Sequence, residues 1–251
     1  MYGKKTFHSG SHYIYISSGK VGNIVADGTA KITIKASGDL TFRACARGEA
    51  ELNIECSDKS YGRVKIRGNA KLSAVASGES TFCFEGYDDS LCEVSSRGDS
   101  TLHCYVKDRS LSRVTSYGRS KAFCDIMEGA KLDIVSTERS EVKFTVHKLG
   151  NVSATAKDSS RLRIIDQGGK STEVVSLHDS RVIMICGGFI SRSPVSIKAL
   201  GNFPSHVRIV GNAELLSSGK VLIGISPDAI NSVINGRCFR LLRDMLCPHD
   251  L

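Results

Sequence analysis

Through most of the chain, side chains fall into two alternating sets with a period of two. Ala130, Leu132, Ile134 and Ser136 alternate with Lys131, Asp133 and Val135, and Ser140, Val142, Phe144 and Val146 alternate with Glu141, Lys143 and Thr145. Such alternation marks strands buried on one face, here with the even-numbered residues pointing inward. The strands are short because a residue tolerant of left-handed backbone interrupts them every ten positions. Nine occur in succession: Gly38, Gly48, Asp58, Gly68, Gly78, Asp88, Gly98, Asp108 and Gly118. Each suits a tight turn.

Consecutive decamers are not equivalent. In those starting at 30, 50, 70 and onward the last inward residue is small: Ala36, Cys56, Ala76, Ser96, Ser116, Ser136, Ala156, Ser176. In the decamers between them it is often large, as at Ile66, Val106, Ile126 and Val146. The first inward residue differs too, with Ala30, Ala50, Ala70 and Ala130 set against serines at 60, 80, 100, 120, 140 and 160. The repeating unit is therefore two strands and two turns, about twenty residues. One unit cannot bury its own apolar face, so units must stack. The expected fold is all-β: a two-sided, right-handed parallel β-solenoid with about twenty residues per coil. Eight coils between about residues 30 and 189 would make a rod about 40 Å long.

The ends depart from this beat. Residues 1–19 are expected to form an N-terminal strand or cap, with "SHYIYISSG" either a first rung or a docking strand for another copy. Residues 20–189 form the solenoid, and 190–251 an irregular β segment followed by a capping helix. All four prolines, Pro194, Pro204, Pro227 and Pro248, fall in that last region, as expected if proline is excluded from the ladders. The helix is predicted in "SPDAINSVINGRCFRLLRDML", with Ser226 as N-cap, Pro227 at the first position and an apolar stripe of Ile230, Ile234, Leu241, Leu242 and Met245. It would cover the raw strand edges of the C-terminal end.

Tempting motifs are mostly products of the repeat. Arg97-Gly98-Asp99 has the order of an adhesion triplet, yet the repeat already demands Gly or Asp at its centre and accepts polar neighbours. "GGKST" at 168–172 ends like a P-loop but lacks the earlier glycine, whose place Ile164 takes, so nucleotide hydrolysis is not expected. Asn151-Val152-Ser153 matches a glycosylation sequon, with Val152 predicted inward. Cys104 and Cys124 fall twenty apart in one inward column; a cross-rung disulfide or metal pair fits the spacing, and so does a pair of small buried apolar groups. Outward Cys45 and Cys83 read as surface thiols. Glu85, Tyr105 and Asp125 share one outward column, which puts the carboxylates about 9 to 10 Å apart, at or just beyond the upper limit for an inverting glycosidase pair.

The two outer faces are unlike. On one, Lys31, Lys35, Lys71, Arg113 and Lys131 are balanced by Glu51, Glu55, Glu93, Asp133 and Glu173. The other carries Arg43, Arg63, Lys65, Lys121, Lys143, Arg161, Arg163 and Arg181 against Glu85, Asp125 and Glu141, with Tyr61, His103, Tyr105 and Phe123 interleaved. Cations at regular spacing with aromatic rings between them suit a polyanion, phosphate or carboxylate on the cations and bases or sugars on the rings. The same pattern arises in a solvated sheet whose aromatics serve strand propensity. The candidate binding face is Arg43, Arg63, His103, Tyr105, Phe123, Lys143 and Arg163. The net charge of +8 agrees with an anionic partner.

The turns and strands in "SGDLTF", "RGNAKLSAVASGES" and "RGDSTLHCYVKD" resemble repeat-rich bacterial and phage solenoid proteins, and are similar in texture to the head domains of autotransporter adhesins. The similarity covers roughly residues 20–186. It implies a right-handed β-solenoid used for display, adhesion or assembly, and carries over no functional residue. The expected function is a non-enzymatic structural or interaction module, working through a protein partner or self-assembly. The alternative is a β-solenoid that binds, or even cleaves, an acidic glycan or another polyanion. No catalytic residue, metal or cofactor is expected. The start of the chain carries no apolar leader, no run is long enough for a membrane span, and nine cysteines suit a reducing compartment. A cytoplasmic or virion-associated location is expected.

Overall fold

The computed structural model describes residues 4–187, 193–210 and 213–225, with two further strands at Val233–Gly236 and Arg240–Leu242. It is a two-sided parallel β-solenoid. Odd strands form a thirteen-stranded sheet and even strands a twelve-stranded sheet, so the chain crosses from one to the other at every turn. From the pairing of Ser11 with Lys31 to that of Arg161 with Arg181, each residue's ladder partner lies twenty positions on. One slip interrupts this, between Lys20 and Asn23. "SHYIYISSG" therefore contributes a first rung: Ser11–Ile16 pairs along its whole length with Lys31–Ala36.

The alternation does what the sequence requires of it. Every even-numbered strand residue from 32 to 186 is buried, and the apolar ones form a single core running the length of the rod. At the corners the left-handed eighth residue recurs beyond the Gly/Asp series, at Glu128, Glu138 and His178 with φ of 48°, 60° and 55°, while in the decamer between Glu138 and Asp158 it moves to the ninth position, Leu149, at 66°. Aspartate there has a second use. The carboxylate of Asp58 accepts a hydrogen bond from the Gly38 amide one rung earlier at 3.0 Å, and Asp88 does the same for Gly68.

The inward serines tie the other side of each corner. Ser100, Ser120, Ser140, Ser160 and Ser180 each donate to the carbonyl twenty-four residues earlier, at 3.0 to 3.3 Å. Each of these carbonyls already accepts the backbone amide twenty-one residues on, at 2.8 to 3.0 Å, so the hydroxyl occupies its second lone pair with a side chain too small to push the sheets apart. Serine at these positions therefore adds a second tie at the corner that alanine could not make.

Both ladders continue past residue 189 with altered offsets. Thr172 pairs with Val195 and Ile183 with His206, twenty-three residues on, and Ser205 pairs with Val221, sixteen on. The expected C-terminal helix needs correction here. Val233–Gly236 and Arg240–Leu242, inside the run read as helical, are strands that extend the two sheets. β-branched Val233 and Ile234 suit a strand, Gly236 weakens a helix, and the exposed edges of the preceding rungs offer ready templates. The rest of that run, including Ser226 and Pro227, lies outside the described residues.

Candidate binding face

The outer surface of the thirteen-stranded sheet is a set of columns fixed by the ladder register. Arg43, Arg63, Cys83, His103, Phe123, Lys143 and Arg163 are successive partners in one column, so six of the seven candidate residues stand in line. Tyr105 stands in the neighbouring column between Glu85 and Asp125. Its hydroxyl meets the Met127 sulfur at 3.1 Å and its ring lies 6.1 Å from that of Tyr87, so it leans toward the corner rather than over the column.

Which cations remain uncancelled depends on their cross-rung neighbours. On the twelve-stranded sheet, Lys31 pairs with Glu51 at 3.0 Å, Lys35 with Glu55 at 3.0 Å and Arg113 with Glu93 at 3.6 Å. On the candidate face Glu85 holds both Arg63, at 2.6 Å, and Lys65, at 2.9 Å, while Glu141 lies 3.5 Å from Arg163. Among the described residues, Arg43, Lys121, Lys143, Arg161 and Arg181 of this face make no ion pair with a carboxylate. Arg181 instead lies over the Phe203 ring, 4.8 Å from its centroid.

Glu85 is the anionic hinge of the face. Burial by itself would raise its pKa, but hydrogen bonds from Arg63, Lys65 and Tyr87 outweigh that and hold the carboxyl below its ordinary value. The phenol of Tyr87, partly buried and hydrogen-bonded to the same carboxylate, is pushed up to about 12. A folded-state value below the unfolded one means that the triad's stabilisation is complete above the unfolded pKa and is lost as pH falls through the folded one. A carboxylate held ionised in this way is the reverse of the raised-pKa group that general-acid chemistry uses.

Among the described residues, three depressions along this face bear on the site. The first, about 430 Å³, is lined by Lys4, Asn23, Arg43, Arg47, Arg63 and Lys65 among others, with no carboxylate in its lining. It exists because Asn23, Val25 and Cys45 are short side chains surrounded by long basic ones. The second, about 410 Å³, lies over Cys83 and is bounded by Tyr61, Arg63, His103 and Phe123. The third, about 320 Å³, runs from Phe123 past Lys143 and Arg163 to Ile183. Lys4, Asn23 and Arg47 were not among the residues expected here. Arg47 sits at a corner, Lys4 just before the first strand Lys5–Phe7, and Asn23 where the twenty-residue beat slips, although counting one rung back from Arg43 leads to Asn23.

The remaining motifs are occupied from within. Both carboxylate oxygens of Asp99 are held by Arg119 at 2.8 and 2.6 Å, and Arg97 lies over the Tyr117 ring. In "GGKST" the buried carboxylate of Asp166 accepts from the amides of Gly168 and Gly169, at 3.0 and 2.8 Å, and from the Thr172 hydroxyl at 2.6 Å. That cradle already holds an anion, supplied by the chain itself. Cys104 and Cys124 are ladder partners and free thiols, and burial pushes the Cys104 thiol well above its ordinary pKa. Among the described residues no group of three or more His, Cys, Asp or Glu side chains is placed to hold a metal ion, and no helix is long and apolar enough to cross a membrane.

The fold and this face together define a two-sided β-solenoid with one self-neutralised and one cationic side. Comparison with protein-family models, curated proteins and solved structures finds no match to the chain.

Proposed function

We propose that the protein is a non-enzymatic interaction module, a stiff rod that presents the cationic face of its thirteen-stranded sheet to an extended anionic partner. The observation that carries this reading is the contrast between the faces: cross-rung carboxylates cancel cations on one, while on the other a line of incompletely cancelled cations runs beside aligned depressions. Parallel ladders and the serine-tied corners supply stiffness. A shallow, elongated surface of this kind suits a polymer better than an enclosed small molecule.

The test is replacement of Arg43, Arg63, Lys143 and Arg163 together with serine, probed with a sulfated polysaccharide and a single-stranded oligonucleotide. All four side chains point outward, so melting temperature should hold. Affinity for whichever polyanion binds should fall roughly 100-fold at moderate salt, and the slope of log affinity against log salt should drop by about 3 for a single strand. Unchanged binding would remove the face from the function and leave a scaffold whose contacts lie elsewhere. Native mass at low and high salt would then report whether the rod assembles with copies of itself.

A gain-of-binding variant gives an independent check. Glu85→Gln releases Arg63 and Lys65 from their shared carboxylate, so polyanion affinity should rise about threefold to tenfold, with a steeper salt dependence. Folding stability should change by less than about 1 kcal/mol, as for other partly exposed ion pairs. Weaker binding in this variant would contradict the reading.

A further inference from the structure

Resting on the reading of this face as a polyanion site, we propose that the polymer it takes is single-stranded nucleic acid, with bases entering slots on both sides of the His103–Phe123 pair. The geometry of that pair carries the argument. His103 and Phe123 are ladder partners on adjacent rungs, and their rings lie 5.1 Å apart at an interplanar angle of 15°. Rings lying flat on the sheet side by side could not bring their centroids so close. They therefore stand on edge, with their faces directed along the rod and their separation close to the spacing of about 4.8 Å between rungs.

Each ring has one face covered by the other and one left open. The open face of His103 looks toward Cys83, whose short side chain floors the depression bounded on its far side by Tyr61 and Arg63. The open face of Phe123 looks toward Lys143, into the depression that continues to Arg163 and Ile183. Each slot thus has an aromatic wall across the rod axis and a cation on the opposite side. A flat group inserted edge-first would stack on the ring while an attached anion reached the guanidinium or ammonium.

This orientation separates the two kinds of polyanion. In a nucleic-acid strand running along the rod, stacked bases have their planes across the strand axis, so His103 and Phe123 continue the stack. In an extended acidic glycan running the same way, the sugar rings lie along the chain axis. They would need aromatic faces turned up to solvent, and this pair turns its faces sideways. The bases must be free to enter the slots, which favours a single strand over a duplex. Stacking accepts any base, so binding should tolerate sequence even though the Glu85 and Asp125 carboxylates also line the first slot. From Arg43 to Arg163 the column spans six rung steps, about 29 Å, enough for several nucleotides.

The test measures the intact protein's affinity, by fluorescence anisotropy, for four probes of matched length. They are a mixed-sequence single strand of about 12 nucleotides, an abasic strand with the same number of phosphates, the corresponding duplex and a sulfated oligosaccharide. The base-bearing single strand should bind at least about tenfold more tightly than the abasic one, since base–aromatic stacking contributes about that factor per base. Exchanging His103 and Phe123 together for alanine should abolish that margin and leave abasic binding unchanged, while Phe123→Trp should preserve it. Equal affinity for base-bearing and abasic strands would overturn the stacking proposal and leave the polyanion reading standing. So would preference for the oligosaccharide or for the duplex. Binding to none of the four would overturn both.

Discussion

Replacing Asp166 with alanine is expected to cost about 3 to 5 kcal/mol of folding stability, the scale seen when one partner of a buried charged network is removed. Asp166 is 2 % exposed, and its carboxylate satisfies three donors, the amides of Gly168 and Gly169 and the Thr172 hydroxyl, on residues that are all buried. Alanine would strand all three where water cannot replace the lost acceptor. Denaturant unfolding should show a lower midpoint with an unchanged slope. Because a solenoid couples mainly neighbouring rungs, amide exchange should accelerate first in Arg161–Asp166 and Ser171–Ser176. Asp166→Asn, which retains an acceptor for the two glycine amides, should recover more than half of the loss. An alanine variant as stable as the parent would show that the cradle does not depend on its carboxylate.

Asp166 also shows why part of the structure was hidden in the sequence. It occupies an inward position that holds Ile66, Val106, Ile126 or Val146 in other coils, and polar–apolar alternation has no place for a buried carboxylate. Its meaning lies in the irregular turn that follows, where two glycine amides converge on it. The twenty-residue coil was legible for the opposite reason: each inward residue must stack on its counterpart one rung away, so an error of one position would turn every side chain to the wrong face. The left-handed corner could be followed only as far as Gly118, because Glu128 and Glu138 adopt the same backbone without being habitual turn formers.

Charge was legible in sign and only partly in effect. Counting by twenties correctly put Arg43, Arg63, His103, Phe123, Lys143 and Arg163 in one column. The same count places Lys65 beside Glu85 and Arg63 one column away, yet the release or capture of each cation depends on side-chain reach across rungs. Where the beat slips, counting fails. The basic depression that joins Lys4 and Arg47 to Arg43 lies over the bulged pairing near Asn23. At the other end, offsets of twenty-three and sixteen residues disguised regular ladders as an irregular segment. Ile230, Ile234 and Leu241 then fell into a helical spacing, in a stretch where Val233–Gly236 and Arg240–Leu242 are strands.

Gly62→Leu is the second substitution expected to act strongly, with a loss of about 3 kcal/mol or more from overpacking. Gly62 points inward between Phe42 and Phe82, its ladder partners on either side. A Cβ placed there would come within 2.6 Å of Phe42 Cζ and 3.0 Å of Phe82 Cδ2, so even alanine must displace an aromatic ring. The requirement comes from volume, since Gly62 does not have left-handed backbone. Gly62→Ala should cost about 1 to 2 kcal/mol, and Phe42→Leu introduced alongside it should restore part of that, giving a coupling energy in a double-mutant cycle. The consequence reaches the candidate face, because Gly62 sits on the strand Tyr61–Ile66 between Tyr61 and Arg63, both of which border the second depression. Gly62→Leu should lower stability and polyanion affinity together, whereas Arg63→Ser should lower affinity alone. A leucine variant that folds with full stability would show that the rungs yield more readily than this ring-on-glycine packing allows.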